Sequence, residues 1–482
     1  MSGRSYKTIL LTLALLLLGG VSFIQRDLNR QRTDPALGLT RTASLDNAPP
    51  VLAFTTVALG GFRGLIANAL WIRATDLQDA GQYFEMVQLA DWITKLEPHF
   101  AQVWKVQAWN MAYNISVKFS DDTDRWRWVQ RGIELLRDEG LRYNPTDALM
   151  YQELGWFFQH KMGQSLDTSH SFYKKSWSEE MTAVLGGGRP NFAELISPQT
   201  EEARQRVARL REKYKMDPAF LKEVDDNFGP LEWRLPEAHA IYWAALGLKK
   251  AGKRDEITLR RIIYQSMHAS VLYGRVYAIR NNGYLRVGPN FDLIPRTIAT
   301  YEHMMREDQE EAYKVTSSYR NFCREIVYLL YTHNRQKDSA QWFKYLKEKF
   351  PDAVPADLSL KDYALQRIFG LQEDLNPNRI GVIVRGYLVN HYVALAQDED
   401  DVAANYDQLA TLVWNRFLDR YRTERLRLRM PTLQELREDT LAELLHPEFG
   451  LQPALQARLR TRLNLPAPTN APPATGGPAV KK

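Results

Sequence analysis

One cysteine, Cys323, stands in a chain of 482 residues. A lone thiol closes no internal disulfide and builds no CxxC metal site. There is no glycine-rich phosphate loop, no HExxH, no GxSxG and no dinucleotide fingerprint. Strand-like alternation is scarce, and strands do not alternate with helices. Glycine (27) and proline (23) are too few for a collagen-like or low-complexity chain. Neither sign of charge dominates: 63 Lys and Arg face 57 Asp and Glu. Nucleic-acid binders concentrate basic charge on one face, so no nucleic acid is expected as a partner. What remains is ordinary globular composition, 45% hydrophobic and 25% charged. That excludes a disordered chain and a polytopic membrane protein.

The longest uncharged apolar run is N-terminal. Arg4 and Lys7 precede sixteen residues, Ile9 to Ile24, without a charge. As a helix the run is about 24 Å long at about 1.5 Å per residue, the short limit for crossing a bilayer core of about 30 Å. The basic start, apolar middle and small residues Gly20 and Ser22 also fit a cleavable export signal. An uncleaved anchor is the expectation, and secretion after cleavage is the alternative. Basic residues on the two flanks are near parity. The basic N-terminus is placed inside, the default for an export signal. A second apolar stretch, Val51 to Ile72, carries Arg63 near its centre and three glycines, and reads as a buried helix in preference to a second span.

Residues 26–50 are polar and end in Pro49-Pro50, which marks a linker. Helical periodicity follows almost throughout. One ending recurs: Leu96-Glu97-Pro98, then Tyr143-Asn144-Pro145. Each closes an amphipathic helix, because proline cannot continue the hydrogen-bond ladder. Gly81 precedes a helix whose Met86, Leu89, Ala90 and Ile93 share one face.

This pattern resembles the tetratricopeptide repeat, a helix–turn–helix unit of about 34 residues, most clearly over residues 67–158. The family's large first-helix residue matches Trp104 and Tyr151. Its small contact residue matches Ala74, Ala108 and Gly155. Its apolar residue one turn later matches Leu77, Met111 and Phe158. The glycine before the second helix is Gly81, and the closing prolines are Pro98 and Pro145. The departure is length: Pro98 to Pro145 is 47 residues, which implies an insertion around residues 113–124. A further copy fits Phe322 to Pro351. The resemblance implies a concave groove lined by first-helix residues, here Asn68, Trp71, Thr75, Gln102, Lys105, Trp109, Gln152, Trp156 and Gln159. Lys105 matches a basic position of members that clamp a C-terminal carboxylate, but Trp109 replaces the asparagine they use. An aromatic-lined groove suits an extended apolar segment or a glycan.

Gly186-Gly187-Gly188 makes a flexible break. Ser197-Pro198 reads as a helix cap with proline in the first turn. A second helical block opens at Pro236. The tail from Pro466 is proline-rich and reads as disordered.

Candidate chemistry is sparse. His303 and Glu307 share a helix face without a third ligand, so no metal is implied. Cys323 sits on an apolar face with Ile326, Val327 and Leu330, as a structural thiol does. In Trp233 to Trp243, the bland reading is a helix with an acidic first turn and packed aromatics; the functional one sets Glu237 to orient His239. Asp121-Asp122, among Trp104, Trp109, Trp126 and Trp128, invites a carbohydrate-active reading, which needs two carboxylates flanking a bond; the bland one is a solvated acidic loop. Six arginines between Arg416 and Met430 form a basic stretch, read as a solvated helix face or a dock for anionic lipid.

The whole therefore reads as all-α, an irregular helix-turn-helix repeat solenoid behind an N-terminal membrane helix. The segments are 1–25 (signal anchor), 26–50 (linker), 51–185 (repeats), 186–235 (connection), 236–465 (second helical block) and 466–482 (disordered tail). The expected work is non-enzymatic: a scaffold or adaptor for protein–protein interaction at the cell envelope, anchored in a bacterial-type inner membrane with most of the chain outside the cytoplasm. No cofactor is implied. The alternative is a helical-toroid carbohydrate-active hydrolase or lyase.

Overall fold

A computed structural model describes residues 12, 16–17, 19–21, 24–26, 28, 63–251, 256–279, 285–307, 312–370, 377–427 and 430–466. The chain forms two compact units, 1–69 with 95–97, and 70–94 with 98–482. In the first, the described residues between Thr12 and Leu28 are helical, with Leu16, Leu17, Val21, Ile24 and Leu28 exposed. Among the described residues no helix is long and apolar enough to cross a membrane. Most of the run Ile9–Ile24, most of the linker, residues 51–62 and the tail beyond Pro466 lie outside the described residues.

Twenty α-helices and a two-stranded hairpin make up the described residues, so the all-α expectation holds. The helices begin with α1 (Arg63–Asp79) and α2 (Tyr83–Leu96), joined through Gly81 at φ +71°, a conformation that favours glycine. Next come α3 (Ala101–Trp109), α4 (Asp122–Glu134), α5 (Leu141–Tyr143) and α6 (Ala148–Trp156). α3 and α6 are offset by the 47 residues that separate Pro98 from Pro145. Each runs straight into a π-helical segment, Asn110–Ile115 after α3 and Phe157–Met162 after α6.

The same offset repeats in the hydrogen bonds. The Trp104 indole N–H donates to the Pro98 carbonyl at 2.8 Å, and the Tyr151 hydroxyl donates to the Pro145 carbonyl at 2.7 Å. Each large aromatic thus ties back the turn that the proline made. Trp104, Ala108, Met111, Tyr151, Gly155 and Phe158 are all buried. The expected insertion resolves into the π segment, a 3₁₀ turn at Ser116–Lys118 and the cap of α4.

α7 (His170–Leu185) stops at Gly186, φ +98°. The cap read at Ser197 is corrected: Ser197 ends α8 (Phe192–Ile196), and the Thr200 hydroxyl caps α9 (Glu201–Glu212) by accepting the Ala203 N–H at 3.1 Å. α10 (Pro218–Phe228), α11 (Pro236–Lys250) and α12 (Glu256–Tyr273) follow. α6 and α11 meet through two glycines. A Cβ on Gly247 would stand 2.6 Å from Tyr151 Cβ, and one on Gly155 would stand 3.4 Å from the Ala240 carbonyl oxygen.

Strands β1 (Arg275–Ile279) and β2 (Leu285–Gly288) pair antiparallel with an irregularity between Val276 and Ala278. The helical reading missed this hairpin. Then come α13 (Ile294–Glu307), α14 (Ala312–Thr332), α15 (Gln336–Lys349), α16 (Leu360–Gly370), α17 (Pro377–Ala396), α18 (Asp400–Arg427), α19 (Leu433–Leu444) and α20 (Pro453–Arg462). One buried apolar cluster extends from Ala101 to Leu459. Helices far apart in sequence are therefore held by a shared apolar interior, which is the main stabilising term for such a body.

Candidate functional site

The 47-residue duplication places a stacked aromatic pair at the end of each copy. In the first, Trp109 and Tyr113 stack at 4.4 Å between ring centroids and 18° between planes. In the second, Trp156 and His160 stack at 4.5 Å and 12°. Both pairs are spaced i, i+4, which puts them on one helix face. The Tyr113 hydroxyl lies 3.2 Å from His160 Nδ1 and joins the two pairs. Burial, then the neighbouring Lys161, push the His160 pKa down; the neutral ring leaves Nδ1 free to accept the phenolic proton. All four rings are half-buried, so together they form one aromatic stripe with an open side.

A charge sits under the stripe. Glu153 is 2% exposed. Its carboxylate accepts the Trp109 indole N–H at 2.5 Å and pairs with the Lys105 ammonium at 2.9 Å. A carboxylate this buried is costly without such partners. Lys105 is therefore already neutralised, which leaves the carboxylate-clamp role without its cation. Behind the stripe, Lys161 bonds Asp167 at 2.5 Å and lies 4.8 Å from the Tyr113 ring centroid. Arg125 reaches the other Asp167 oxygen at 2.8 Å. Burial pushes the Asp167 carboxyl up, but Lys161, the Ser169 N–H and Arg125 outweigh it and hold its pKa low. The acid pair singled out in the sequence has structural partners. Asp121 caps α4 through the N–H groups of Thr123 and Asp124, and Asp122 accepts the Ser169 hydroxyl at 2.6 Å.

Gln159 belongs to the same π segment as His160 but serves another place. Its amide donates to the Ile262 carbonyl and the Ser266 hydroxyl, both at 3.1 Å. It lines a cavity of about 430 Å³. The walls include Lys174 from α7, Glu237 from α11, Leu272 from α12, Val287 from β2, Arg385 from α17 and Asp439 from α19. Arg385 is engaged: Asp439 stands 3.7 Å away and Glu443 3.2 Å. Lys174 donates to the Gly163 carbonyl at 2.7 Å. Burial pushes the Lys174 pKa down, with Glu237 opposing, and burial pushes the Glu237 pKa up, with Lys174 opposing.

The remaining expected groove residues are scattered. Asn68 and Thr75 are exposed on α1, where Trp71 lies half-buried with its ring 6.2 Å from Phe100. Gln102 is exposed on α3 and Gln152 half-buried on α6. The structure thus brings Lys105, Trp109 and Trp156 together and adds Tyr113, His160 and Glu153. The i, i+4 aromatic spacing was readable in sequence at 109/113 and again at 156/160; Glu153 carried no local signal.

His239 is a core residue. Its Nε2 lies 2.8 Å from the Trp233 carbonyl, so that nitrogen carries the proton, and its ring packs against Phe158, Trp177 and Trp233. Burial lowers its pKa to about 4. The Glu237–His239 reading is therefore corrected, because His239 is oriented by a backbone carbonyl. Cys323 is buried and its thiol is pushed up to about 12, mainly by burial, which makes it a poor nucleophile. His303 is exposed. Of the basic stretch, Arg416 is exposed on α18, and the side chains of the other five arginines lie outside the described residues. Comparison with family models, with curated proteins and with solved structures finds no match for this chain.

Proposed function

We propose that this chain is a membrane-anchored, tetratricopeptide-like helical-repeat adaptor that holds a partner protein at the cell envelope without catalysing a reaction. The observation that carries this reading is the duplicated stacked pair. Trp109/Tyr113 and Trp156/His160 recur 47 residues apart and join into one half-buried stripe. Rigid aromatic rings with one open side present large contact area at small cost in side-chain entropy, and tryptophan and tyrosine dominate measured binding hot spots. Two equivalent pairs on successive copies suit an extended segment whose apolar side chains engage each in turn. The anchor in this reading is the apolar run Ile9–Ile24. Recognition of a terminal carboxylate by Lys105 is not part of it, because Glu153 occupies that ammonium.

The test is co-purification of the full chain from detergent-solubilised membranes, comparing the unaltered protein with Trp156→Ala and with Gln205→Ala on the exposed face of α9. A partner retained by Gln205→Ala and lost by Trp156→Ala supports the stripe. A partner retained equally by both variants overturns it.

A further inference from the structure

A second site stands independently of the stripe. Buried charges in folded proteins are paired or neutralised. Lys161 follows that rule with Asp167, and Arg385 follows it with Asp439 and Glu443. Lys174 is half-buried and has no ion pair among the described residues. It lines the cavity of about 430 Å³, and its hydrogen bond goes to a neutral carbonyl, that of Gly163. An ammonium has three N–H donors, and among the described residues one is engaged. Glu237, in the same wall, acts on it electrostatically.

Glu237 lies in the first turn of α11, whose N-cap Leu235 offers no side-chain cap. The Glu237 carboxylate itself already meets its backbone N–H and the positive end of that helix. Beyond this pole the wall turns apolar, through Leu272, Val287 and Val382. The volume falls in the usual range for a small-molecule pocket, about 300–1,000 Å³.

We propose that this cavity binds a small amphiphile with a single carboxylate head, held at Lys174, and an unbranched apolar body against Leu272, Val287 and Val382. A neutral head would leave the ammonium unpaired. A cationic head would face it directly. The other cation of the wall, Arg385, already has two carboxylates, so it is not the head site.

The probe is decanoate, titrated into the full chain in phosphatidylcholine nanodiscs with empty nanodiscs as the blank. Decanol and decylammonium serve as the neutral and cationic counterparts. The expected result is one saturable decanoate site, about tenfold tighter than decanol, the worth of one hydrogen bond to a charged group. Lys174→Met removes that preference and leaves decanol unchanged, and Val382→Trp, which fills the cavity, abolishes both. The proposal is overturned if decanoate shows no saturable binding above the blank, if decanol binds as tightly, or if a folded Lys174→Met keeps the preference. The decanoate–decanol comparison uses the unaltered chain, so it decides the matter even where a variant fails to fold.

Discussion

At the residue scale, burial and hydrogen bonding separate side chains that look alike in sequence. Trp104 is 2% exposed, donates to the Pro98 carbonyl and stacks on Tyr143 at 5.9 Å. Trp104→Ala should destabilise by about 3–5 kcal/mol, read as the shift of a denaturant midpoint; a midpoint that does not move would show that Trp104 is not a packing residue. Gly155 is equally constrained, because a Cβ there would stand 3.2 Å from Ile262 Cγ2. Gly155→Val should cost about 1–3 kcal/mol through overpacking. Ile262→Ala in the same chain should recover part of that, since contacting residues couple; additive losses would deny the contact. His239 gives a pH dependence. Its folded pKa is lowered from 6.5 to about 4 by burial, so the unfolded chain binds its proton first. The stability it contributes is full above pH 6.5 and is lost as pH falls toward 4, by at most roughly 3 kcal/mol. His239→Gln keeps a donor near the Trp233 carbonyl and cannot titrate there. Its melting temperature should fall less steeply between pH 7 and 4.5 than that of the unaltered chain, and equal slopes would count against a buried neutral histidine.

At the scale of elements, the 47-residue offset was legible where proline and a large aromatic recur, at Pro98 and Pro145 and at Trp104 and Tyr151. Pro98, Pro145, Trp104 and Tyr151 carry that signal because each does one local job. The 47-residue copy shows more than the pattern could, since α3 and α6 share length, offset and π-helical continuation. A π segment has no sequence signature of its own, and its hydrogen bonds follow from packing. The hairpin was legible and overlooked: Asn282-Gly283 between alternating residues is a strong hairpin signal. The two stripe tryptophans, equivalent by register, should differ in energetics. Trp109 supplies a hydrogen bond to the buried Glu153, so Trp109→Ala should cost the fold about 2 kcal/mol. Trp156 stacks on His160, so Trp156→Ala should cost about 1 kcal/mol. Thermal melts of the two variants check the order, and a reversed order would contradict the role given to Glu153.

At the scale of the whole molecule, the cavity was beyond the reach of sequence reading. Its wall runs from Gln159 to Asp439, and nothing local marks Lys174 as different from any other lysine of an amphipathic helix. Only the fold reveals that its ammonium lines a cavity without an ion pair among the described residues. Glu237 was visible as part of an unusual string, but its relation to Lys174 was not. The proposed anchor belongs to this scale as well. Deleting residues 1–25 should give a folded helical protein that no longer sediments with membranes; a deleted chain that still does would point to residues 51–72. The central claim, that the stripe is where a partner sits, is tested most directly by photo-crosslinking in intact cells. A photoreactive residue at Gln152, half-buried on α6 beside Glu153, is compared with one at Gln205, exposed on α9. A discrete crosslinked protein from position 152, absent from position 205 and lost when Trp156→Ala is added, is the predicted result. The same crosslinks from both positions, or none from 152, would contradict the account.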